Sequence, residues 1–304
     1  MTLFDFAEQW LPVAKHNVTK HTYNHYVNLI EALTDECGEK IISSVTPSDI
    51  KKVWNKFNGK SQSYINKARY LYNGIFSSAI EEGYCKTNPC SAKSARPVKG
   101  TTGTHRCLTD NEIHLIETTP HRMQFAAMLM LKEGLRRGEV LALEKSNFHD
   151  DKIWITNAVQ FTGNKGTVGK TKTESSVRSV PIFDSIKPFV DQMRKYVFST
   201  RKGEISTKTS FESCWKSYMN CLSAKAGNDI MFRPHDLRHT FITKARDLGI
   251  DIHIVMNWVG HSSESMILQI YDHPSAEREN NAIRFMNGTV ENTVSCKTSI
   301  GQTK

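Results

Sequence analysis

The sequence has little that would belong to a membrane or secreted protein. No apolar run approaches the roughly 18 to 20 residues that a membrane-spanning helix needs. The amino-terminal stretch MTLFDFAEQW has neither a basic segment nor a small-residue cleavage site. The seven cysteines are scattered and never form a CxxC pair, so a disulfide framework or a zinc site is not indicated. We therefore expect a cytoplasmic protein with reduced thiols.

Motifs for nucleotides and metals are also missing. The chain contains no P-loop, GxGxxG or HExxH motif and no internal repeat, and no pair of carboxylates or Cys–His ligand set points to a metal. We expect neither a metal nor another cofactor. What remains is an ordinary globular composition, 38% hydrophobic with nine prolines in 304 residues, and a length that favours two domains.

The charge of the chain indicates the class of partner. Forty Lys and Arg residues against 31 Asp and Glu give a net charge of +9 and a pI near 9.1. The excess is present in residues 1–106 and again in 107–304, so a single basic tail does not cause it. A polyanion such as nucleic acid is favoured, although an inert basic surface would give the same balance.

The amino-terminal part is expected to be a helical domain over residues 1–90, with four or five helices and no strand. Its clearest helix start is Thr46 followed by Pro47 and Asp49. Residues 91–106 are rich in small, turn-forming and basic residues, which is typical of a linker. The domain boundary is therefore predicted near residue 104.

Residues 107–287 are expected to form a second, mixed domain. Thr109 and Glu112 make a capping box that begins its first helix. The fold class is mainly α with a small β-sheet (α+β), and the tail 288–304 is expected to be disordered. The predicted elements are helices over about 109–118, 121–132 and 137–145, strands over 152–156 and 177–182 around a polar hairpin, and helices from Phe183 to about Met286.

Three short clusters in this domain hold the residues for chemistry. They are GLRRGEVLAL with Arg136, HDLRHT with His235 and Arg238, and Gly260-His261 followed ten residues later by Tyr271. Two arginines can fork onto a phosphodiester and its transition state, and histidines can move protons near neutral pH. A tyrosine hydroxyl is a nucleophile when cations face it. Each cluster alone is usually only a surface feature, and their joint occurrence favours phosphoryl-transfer chemistry.

The clusters resemble the signature of the tyrosine recombinase, or phage integrase, family. GLRRGE matches the family's G-L-R-x-x-E, HDLRHT matches H-x-L-R-H-T, and VGH followed by IYDH matches the final histidine and tyrosine. KTKTESSVRSVPI fits the hairpin lysine before an R-x-V-P strand. The amino-terminal helices, ending in EEGYCKTNP, look like the core-binding domain. The departures are Val259 for the usual Leu and the longer of the two familiar His–Tyr gaps.

The resemblance implies metal-free, site-specific DNA strand exchange through a 3′-phosphotyrosyl intermediate. Tyr271 would attack, Arg136 and Arg238 would clamp the phosphate, and His261 would donate a further hydrogen bond. Lys172, with Lys170 as the competing choice, would protonate the leaving 5′ oxygen. His235 would be a base toward the tyrosine or a supporting cation. Glu139 would orient its neighbours, and His239 would be a further supporting residue.

Double-stranded DNA with specific attachment sites is the expected partner, and a membrane is not. Family members act as tetramers on DNA, and the segment Ala276 to Met286, with Ile283 and Met286 on one side, is expected to dock on a neighbouring subunit. An accessory bending or directionality factor is compatible with this. Candidates for DNA binding are the basic residues of the helical domain and the linker, namely Lys51, Lys52, Lys67, Arg69, Lys93, Arg96 and Lys99.

Three biological interpretations stay open. The first is integration or excision of a phage or other mobile element. The second is resolution of chromosome dimers or plasmid multimers, and the third is a non-catalytic DNA-binding regulator with the same fold. Because the sequence opens directly on helices that resemble the core-binding domain, we expect no additional arm-binding module, which weakens the phage interpretation somewhat.

Overall fold

The computed structural model describes residues 1–15, 18, 20–103, 106–170, 177–193, 195–200 and 202–260, without the side chains of Lys15, Lys20, His21 and Lys170. The chain divides into two compact units, Met1–Thr104 and His105–Lys304. Within the described ranges, no helix combines the length and apolar character that crossing a bilayer requires.

The first unit is built from α-helices and short 3-10 turns. Buried side chains from all four helices form one core that includes Leu33, Trp54, Tyr72 and Phe76. The helices are α1 (Leu3–Lys15), α2 (Lys20–Cys37), α3 (Pro47–Asn55) and α4 (Gln62–Glu81), with 3-10 turns at Ile42–Ser44, Pro89–Ser91 and Lys93–Ala95.

Helix α3 begins where the sequence predicts. The Thr46 hydroxyl accepts a hydrogen bond from the Asp49 amide at 3.3 Å, and the Asp49 carboxylate accepts from the Thr46 amide at 2.9 Å. Pro47 occupies the first turn, where its missing N–H costs nothing. This reciprocal cap fixes the start of the helix that carries Lys51 and Lys52.

Most of the stretch expected to be a linker is folded against the first unit. Ala95 is buried in the core of that unit, and its carbonyl accepts a hydrogen bond from the Trp54 indole at 2.8 Å. Thr101 exchanges backbone hydrogen bonds with Lys60 and Gln62, at 2.9 Å each. The interpretation of residues 91–106 as a free linker is thus wrong up to about residue 101, because small residues such as Ala95 fill gaps in a core as readily as they form turns.

The second unit combines helices with two small antiparallel sheets. One sheet has the strand order β1-β2-β5 and the other is the hairpin β3-β4. The helices are α5 (Asp110–Thr118), α6 (Gln124–Lys132), α7 (Arg137–Ala142), α8 (Lys187–Asp191), α9 (Lys208–Ala226), α10 (Pro234–Asp247) and α11 (Ile252–Val259). The strands are β1 (Phe148–His149), β2 (Lys152–Ile155), β3 (Asn157–Thr162), β4 (Lys165–Lys170) and β5 (Arg178–Pro181).

These elements confirm the predicted fold class, mainly α with a small sheet. The two predicted strands correspond to β2 and β5, which pair with Ile155 opposite Arg178. Helix α7 is shorter than expected, because Leu143 is already extended (φ −68°, ψ 126°). The expected disordered tail, 288–304, lies outside the described residues.

The register of the sheet sets up the site. Strand β5 alternates buried and half-buried residues, and Arg178 and Val180 are its buried pair. Helix α10 packs on α6, and α11 packs on β5. Helix α11 also packs on α10, so it joins the helix that carries Arg238 to the strand that carries Arg178.

Candidate active site

Arg136 lies at a break between two helices that only glycine allows. Gly134, just after α6, has a φ of +66°, and a Cβ at this position would lie 2.4 Å from the Phe241 ring of α10. Arg136 itself is extended (φ −75°, ψ 147°) and caps α7. The break places the arginine between α6 and α7, at the start of α7.

Glu139 binds Arg136, three residues before it in the sequence. Its Oε2 accepts from the Arg136 amide at 2.8 Å, and its Oε1 accepts from Arg136 Nη1 at 2.7 Å. The Arg136 Nη2 donates to the Gly260 carbonyl at 2.7 Å. With about a third of its side chain exposed, Arg136 keeps further N–H groups for a ligand.

Arg178 is a second partner of the same carboxylate. Its Nη1 and Nη2 donate to the two oxygens of Glu139 at 3.0 Å each, and its Nε donates to the Trp258 carbonyl at 2.6 Å. Both side chains are at most 3% exposed. This buried fork joins α7, β5 and α11, and removing either partner would leave a buried charge at a cost of about 3–5 kcal/mol.

A second glycine lets Arg178 lie against the end of α11. Gly260 ends α11 with a φ of +62°, and a Cβ there would lie 2.8 Å from Arg178 Nη1. Gly260 is the residue before His261 in the sequence. Its carbonyl and that of Val259 both accept from the predicted catalytic arginines.

Arg238 lies on α10 and is almost completely buried, with 1% exposure. Its Nη1 donates to the Gly134 carbonyl and its Nη2 to the Val259 carbonyl, both at 2.6 Å. Its Nε has no acceptor among the described residues. The guanidinium is therefore held rigidly, yet part of its donor capacity is unused.

The cluster carries an excess of buried positive charge. Burial, together with the charges of Arg136 and Arg178, lowers the pKa of Arg238, and Glu139 opposes this. Burial alone would raise the pKa of Glu139, but hydrogen bonds and charges from the arginines bring it to about 2. Two guanidinium groups thus bind one carboxylate, and the charge of a third, that of Arg238, acts on it as well. An anion with several acceptor oxygens, such as a phosphodiester, would complete the site.

The structure brings together Arg136, Arg238 and Glu139 of the predicted site. His235 is exposed on the first turn of α10, and His239, one turn later, is half-buried. Lys172, His261 and Tyr271 lie outside the described residues, as does the side chain of Lys170. The predicted roles of these four residues stay predictions.

Sequence reasoning missed Arg178. The residue stands in the R-S-V-P stretch that was assigned only as a strand after the hairpin lysine. Its signal was a charged residue at a position where the strand alternation predicts a buried side chain. A buried arginine needs a carboxylate partner, and Glu139 in the first cluster was available.

The predicted DNA-binding candidates all lie in the first unit and are exposed. The Lys51 amine donates to the Arg96 carbonyl at 3.3 Å. The candidates on α3 are therefore neighbours of those at the 3-10 turn Lys93–Ala95. Lys67 lines a cleft on α2 and α4 together with Asn66 and Tyr70, and Tyr70 is 77% exposed. These two neighbours are further hydrogen-bonding groups on the same surface.

Glu133 is an unusual carboxyl group next to this site. It is 1% exposed; Oε1 accepts from the Phe183 amide at 3.0 Å, and Oε2 has no partner among the described residues. Burial raises its pKa to about 8. Below that pH the group is therefore mainly protonated, and it adds no negative charge beside Arg136.

A Glu133→Gln variant is expected to be more stable than the wild type at alkaline pH. Because the folded pKa is raised above the unfolded value, folding stability falls as the pH rises from about 4.5 toward 8, at up to about 1.4 kcal/mol per unit. Glutamine removes this dependence while keeping an acceptor for Phe183. Thermal unfolding between pH 5 and 9 measures it, and a stability difference that does not grow with pH would contradict the burial argument.

Two family profiles match the chain. The Phage integrase family matches residues 107–278, more than half of the chain. The Phage integrase, N-terminal SAM-like domain matches residues 2–58. These matches cover the first three helices of the first unit and the arginine cluster of the second.

Individual proteins resemble the chain over most of its length. "Tyrosine recombinase XerC-like" from Caldanaerobacter subterraneus is 26% identical, over 94% of this chain and 83% of its own. The "Integrase" of Mycobacterium phage D29 is 23% identical, over 94% and 78%. The Tn1549 transposon integrase, solved with transposon right end DNA, superposes with a TM-score of 0.80 at 20% identity, over 94% and 100%. The chain belongs to the phage integrase family of tyrosine recombinases, the site-specific DNA strand transferases.

Proposed function

We propose that the chain cleaves and rejoins DNA by attack of Tyr271 on a phosphodiester. The step forms a bond between the tyrosine oxygen and phosphorus and breaks the bond to the 5′ oxygen, which leaves a 3′-phosphotyrosyl link and a free 5′-hydroxyl. The observation that carries this proposal is the cluster of Arg136, Arg178 and Arg238 around Glu139, in which Arg178 and Arg238 are buried. The reaction is a transesterification, so the ester retains the bond energy for rejoining.

Each residue of the site has one proposed task. Arg136 and Arg238 bind the nonbridging oxygens, and His261 donates a further hydrogen bond to them. Lys172, or else Lys170, protonates the departing 5′ oxygen. His235 acts as base toward Tyr271 or as a supporting cation. Glu139 orients Arg136, and His239 supports the neighbouring groups.

The proposed mechanism uses no metal. Negative charge grows on the phosphoryl oxygens in the transition state, and fixed cations in a water-poor site stabilise it strongly. Arg238, at 1% exposure and with an unused Nε donor, fits this task. Because Glu139 and three backbone carbonyls already hold Arg136 and Arg238 in place, little reorganisation is needed when DNA binds.

Binding to duplex DNA is proposed for the exposed basic residues of the first unit. Phosphate contacts supply most of the affinity of such proteins and position them on the duplex. Asn66 and Tyr70, beside Lys67, add hydrogen-bonding groups of the kind that read base edges. We propose these two as candidates in addition to Lys51, Lys52, Lys67, Arg69, Lys93, Arg96 and Lys99.

The proposed biological role is integration or excision of a phage or other mobile element. Its support is the similarity to the phage D29 and transposon Tn1549 integrases. Resolution of chromosome dimers or plasmid multimers is the second candidate, favoured by the similarity to the XerC-like recombinase. A non-catalytic regulator is disfavoured by the two arginines, since a protein that only binds DNA has no need of a buried guanidinium cluster.

We propose that the chain assembles into a tetramer when it is bound to DNA. The proposed location is the cytoplasm, at the nucleoid. A lambda integrase tetramer bound to a Holliday junction superposes with a TM-score of 0.66 at 18% identity, over 91% of this chain and 78% of that one. The segment Ala276 to Met286, which lies outside the described residues, would dock on a neighbouring copy. We propose as its docking site an apolar cavity of about 520 Å³ on the second unit, lined in part by Phe241, Leu248 and Trp258.

A covalent-trapping assay tests the proposal. The protein is incubated in EDTA with DNA that carries the candidate attachment site and a nick near the scissile phosphate, and the products are run on a denaturing gel. The nick lets the short 5′-hydroxyl strand diffuse away, so the adduct accumulates. A shifted protein–DNA band is expected. Bound duplex without any adduct, on every candidate site, would favour the regulator instead.

A further inference from the structure

One arginine of the second unit differs from all the others that the structure describes there. Eight arginines are described between residues 106 and 260. Seven donate hydrogen bonds to carboxylates or carbonyls of the protein, namely Arg106, Arg122, Arg136, Arg178, Arg233, Arg238 and Arg246. Arg137 donates to no described residue, although its side chain is exposed next to Arg136.

Aromatic rings hold the Arg137 guanidinium instead. Its central carbon lies 5.6 Å from the ring centroid of Phe161 on β3 and 5.6 Å from that of Phe211 on α9. Such cation–π contacts use the faces of the rings and leave the N–H edge of the guanidinium open to an acceptor. The charge is therefore positioned without being neutralised.

The two elements that hold Arg137 are tied to each other. Asn164, in the turn between β3 and β4, accepts hydrogen bonds from the amide and hydroxyl of Thr209 at the start of α9, both at 2.8 Å. Gly138 lets β3 approach α7, since a Cβ there would lie 2.8 Å from the Val159 carbonyl. Arg137 thus stands where α7, the hairpin and α9 meet, in a fixed geometry.

Among the described residues, the space next to Arg137 is open. A cavity of about 750 Å³ begins at this residue and runs along α9. Its wall carries the further cations Lys216 and Arg233 and the carboxylates Glu212 and Asp229. Arg136 binds Glu139 and Gly260, whereas Arg137 binds the rings of Phe161 and Phe211. Two consecutive residues, about 3.8 Å apart at their Cα atoms, therefore send their guanidinium groups to different places.

We propose that Arg137 is a positioning residue that binds a second phosphate of the cleaved strand, next to the phosphate held by Arg136 and Arg238. This inference rests on the proposed function. Successive phosphates of a strand follow one another at short intervals, so neighbouring arginines that diverge reach neighbouring phosphates. A fork onto two nonbridging oxygens would fix the strand on one side of the bond that Tyr271 attacks.

The test combines Arg137 variants with DNA in which single phosphates are replaced by neutral methylphosphonates. Each duplex carries a single methylphosphonate, and the set of duplexes covers every position that flanks the scissile phosphate. The variants are Arg137→Ala and Arg137→Lys. Binding isotherms and covalent-adduct rates are measured separately. Lys152→Ala, which removes an exposed cation on β2, is the matched control.

Arg137→Ala is expected to bind unmodified DNA about tenfold more weakly, with little change in the adduct rate at saturating DNA. The slope of log affinity against log salt concentration falls by about 0.9, because one phosphate contact is lost. One methylphosphonate weakens the wild type by a similar factor and does not weaken Arg137→Ala further. Arg137→Lys restores the salt slope and part of the affinity.

Two results would overturn the inference. In the first, the methylphosphonate at every flanking position weakens DNA binding by Arg137→Ala as much as it weakens binding by the wild type. This would mean that no phosphate pairs with this residue. In the second, the loss of DNA affinity in Arg137→Ala depends on protein concentration and not on any methylphosphonate. This would mean that Arg137 binds a carboxylate of a second copy of the protein. Because binding is measured apart from cleavage, a wild type that forms no adduct would refute the proposed function and leave the Arg137 result readable.

Discussion

A Tyr271→Phe variant is expected to form no covalent adduct with DNA and to bind duplex DNA as tightly as the wild type. The substitution removes one hydroxyl, and that hydroxyl is the proposed nucleophile. The arginines that bind the phosphate are unchanged, so the affinity stays within about twofold. The measurement pairs a denaturing gel, which counts adduct, with a native binding assay on the same nicked duplex.

Tyr196→Phe is the matched control for this loss. Tyr196 lies in the same unit, and its hydroxyl has no hydrogen-bond partner among the described residues. This variant is expected to form adduct at the wild-type rate. Adduct in Tyr271→Phe would identify a different nucleophile, and a parallel loss in both variants would point to an effect of tyrosine removal in general.

An Arg238→Gln variant is expected to lose adduct formation by about 10³-fold. The wild-type guanidinium is fixed on the Gly134 and Val259 carbonyls. In the proposed mechanism it faces the growing charge of the phosphoryl group without reorganising. Glutamine keeps some hydrogen bonding and removes the charge. Single-turnover adduct rates at saturating DNA separate this loss from any change in affinity.

The same substitution affects folding, so its chemical role needs a second readout. Arg238→Lys restores the charge but cannot fork onto both carbonyls, and it is expected to recover only part of the rate. A methylphosphonate at the scissile position removes one oxygen charge and should narrow the gap between Arg238→Gln and the wild type. If the gap stays the same in a variant that is folded at the assay temperature, Arg238 does not balance charge at the phosphate.

Local signals in the sequence predicted much of the fold. The Thr46–Asp49 and Thr109–Glu112 capping boxes are both formed, because the hydrogen bonds that make them span only three residues. The sequence clusters likewise predicted that Arg136, Glu139 and Arg238 belong to one site. The structure joins them through the carbonyls of residues 134, 259 and 260.

Contacts between distant residues could not be predicted in the same way. The pairing of Glu139 with Arg178 spans 39 residues, and it depends on the register of β5 against β2. The packing of Ala95 under Trp54 depends on the shape of a core that no local pattern encodes. The position of Arg137 between Phe161 and Phe211 requires a hairpin and a helix that the sequence places far apart.

The most direct test of the account is the chemical identity of the protein–DNA link. The adduct from the trapping assay is digested with nuclease and protease, and the remaining peptide is sequenced by mass spectrometry. A nucleotide linked through its 3′-phosphate is expected on the peptide that contains Tyr271, and the free 5′-hydroxyl is expected on the released strand. A link through another residue, or through a 5′-phosphate, would contradict it.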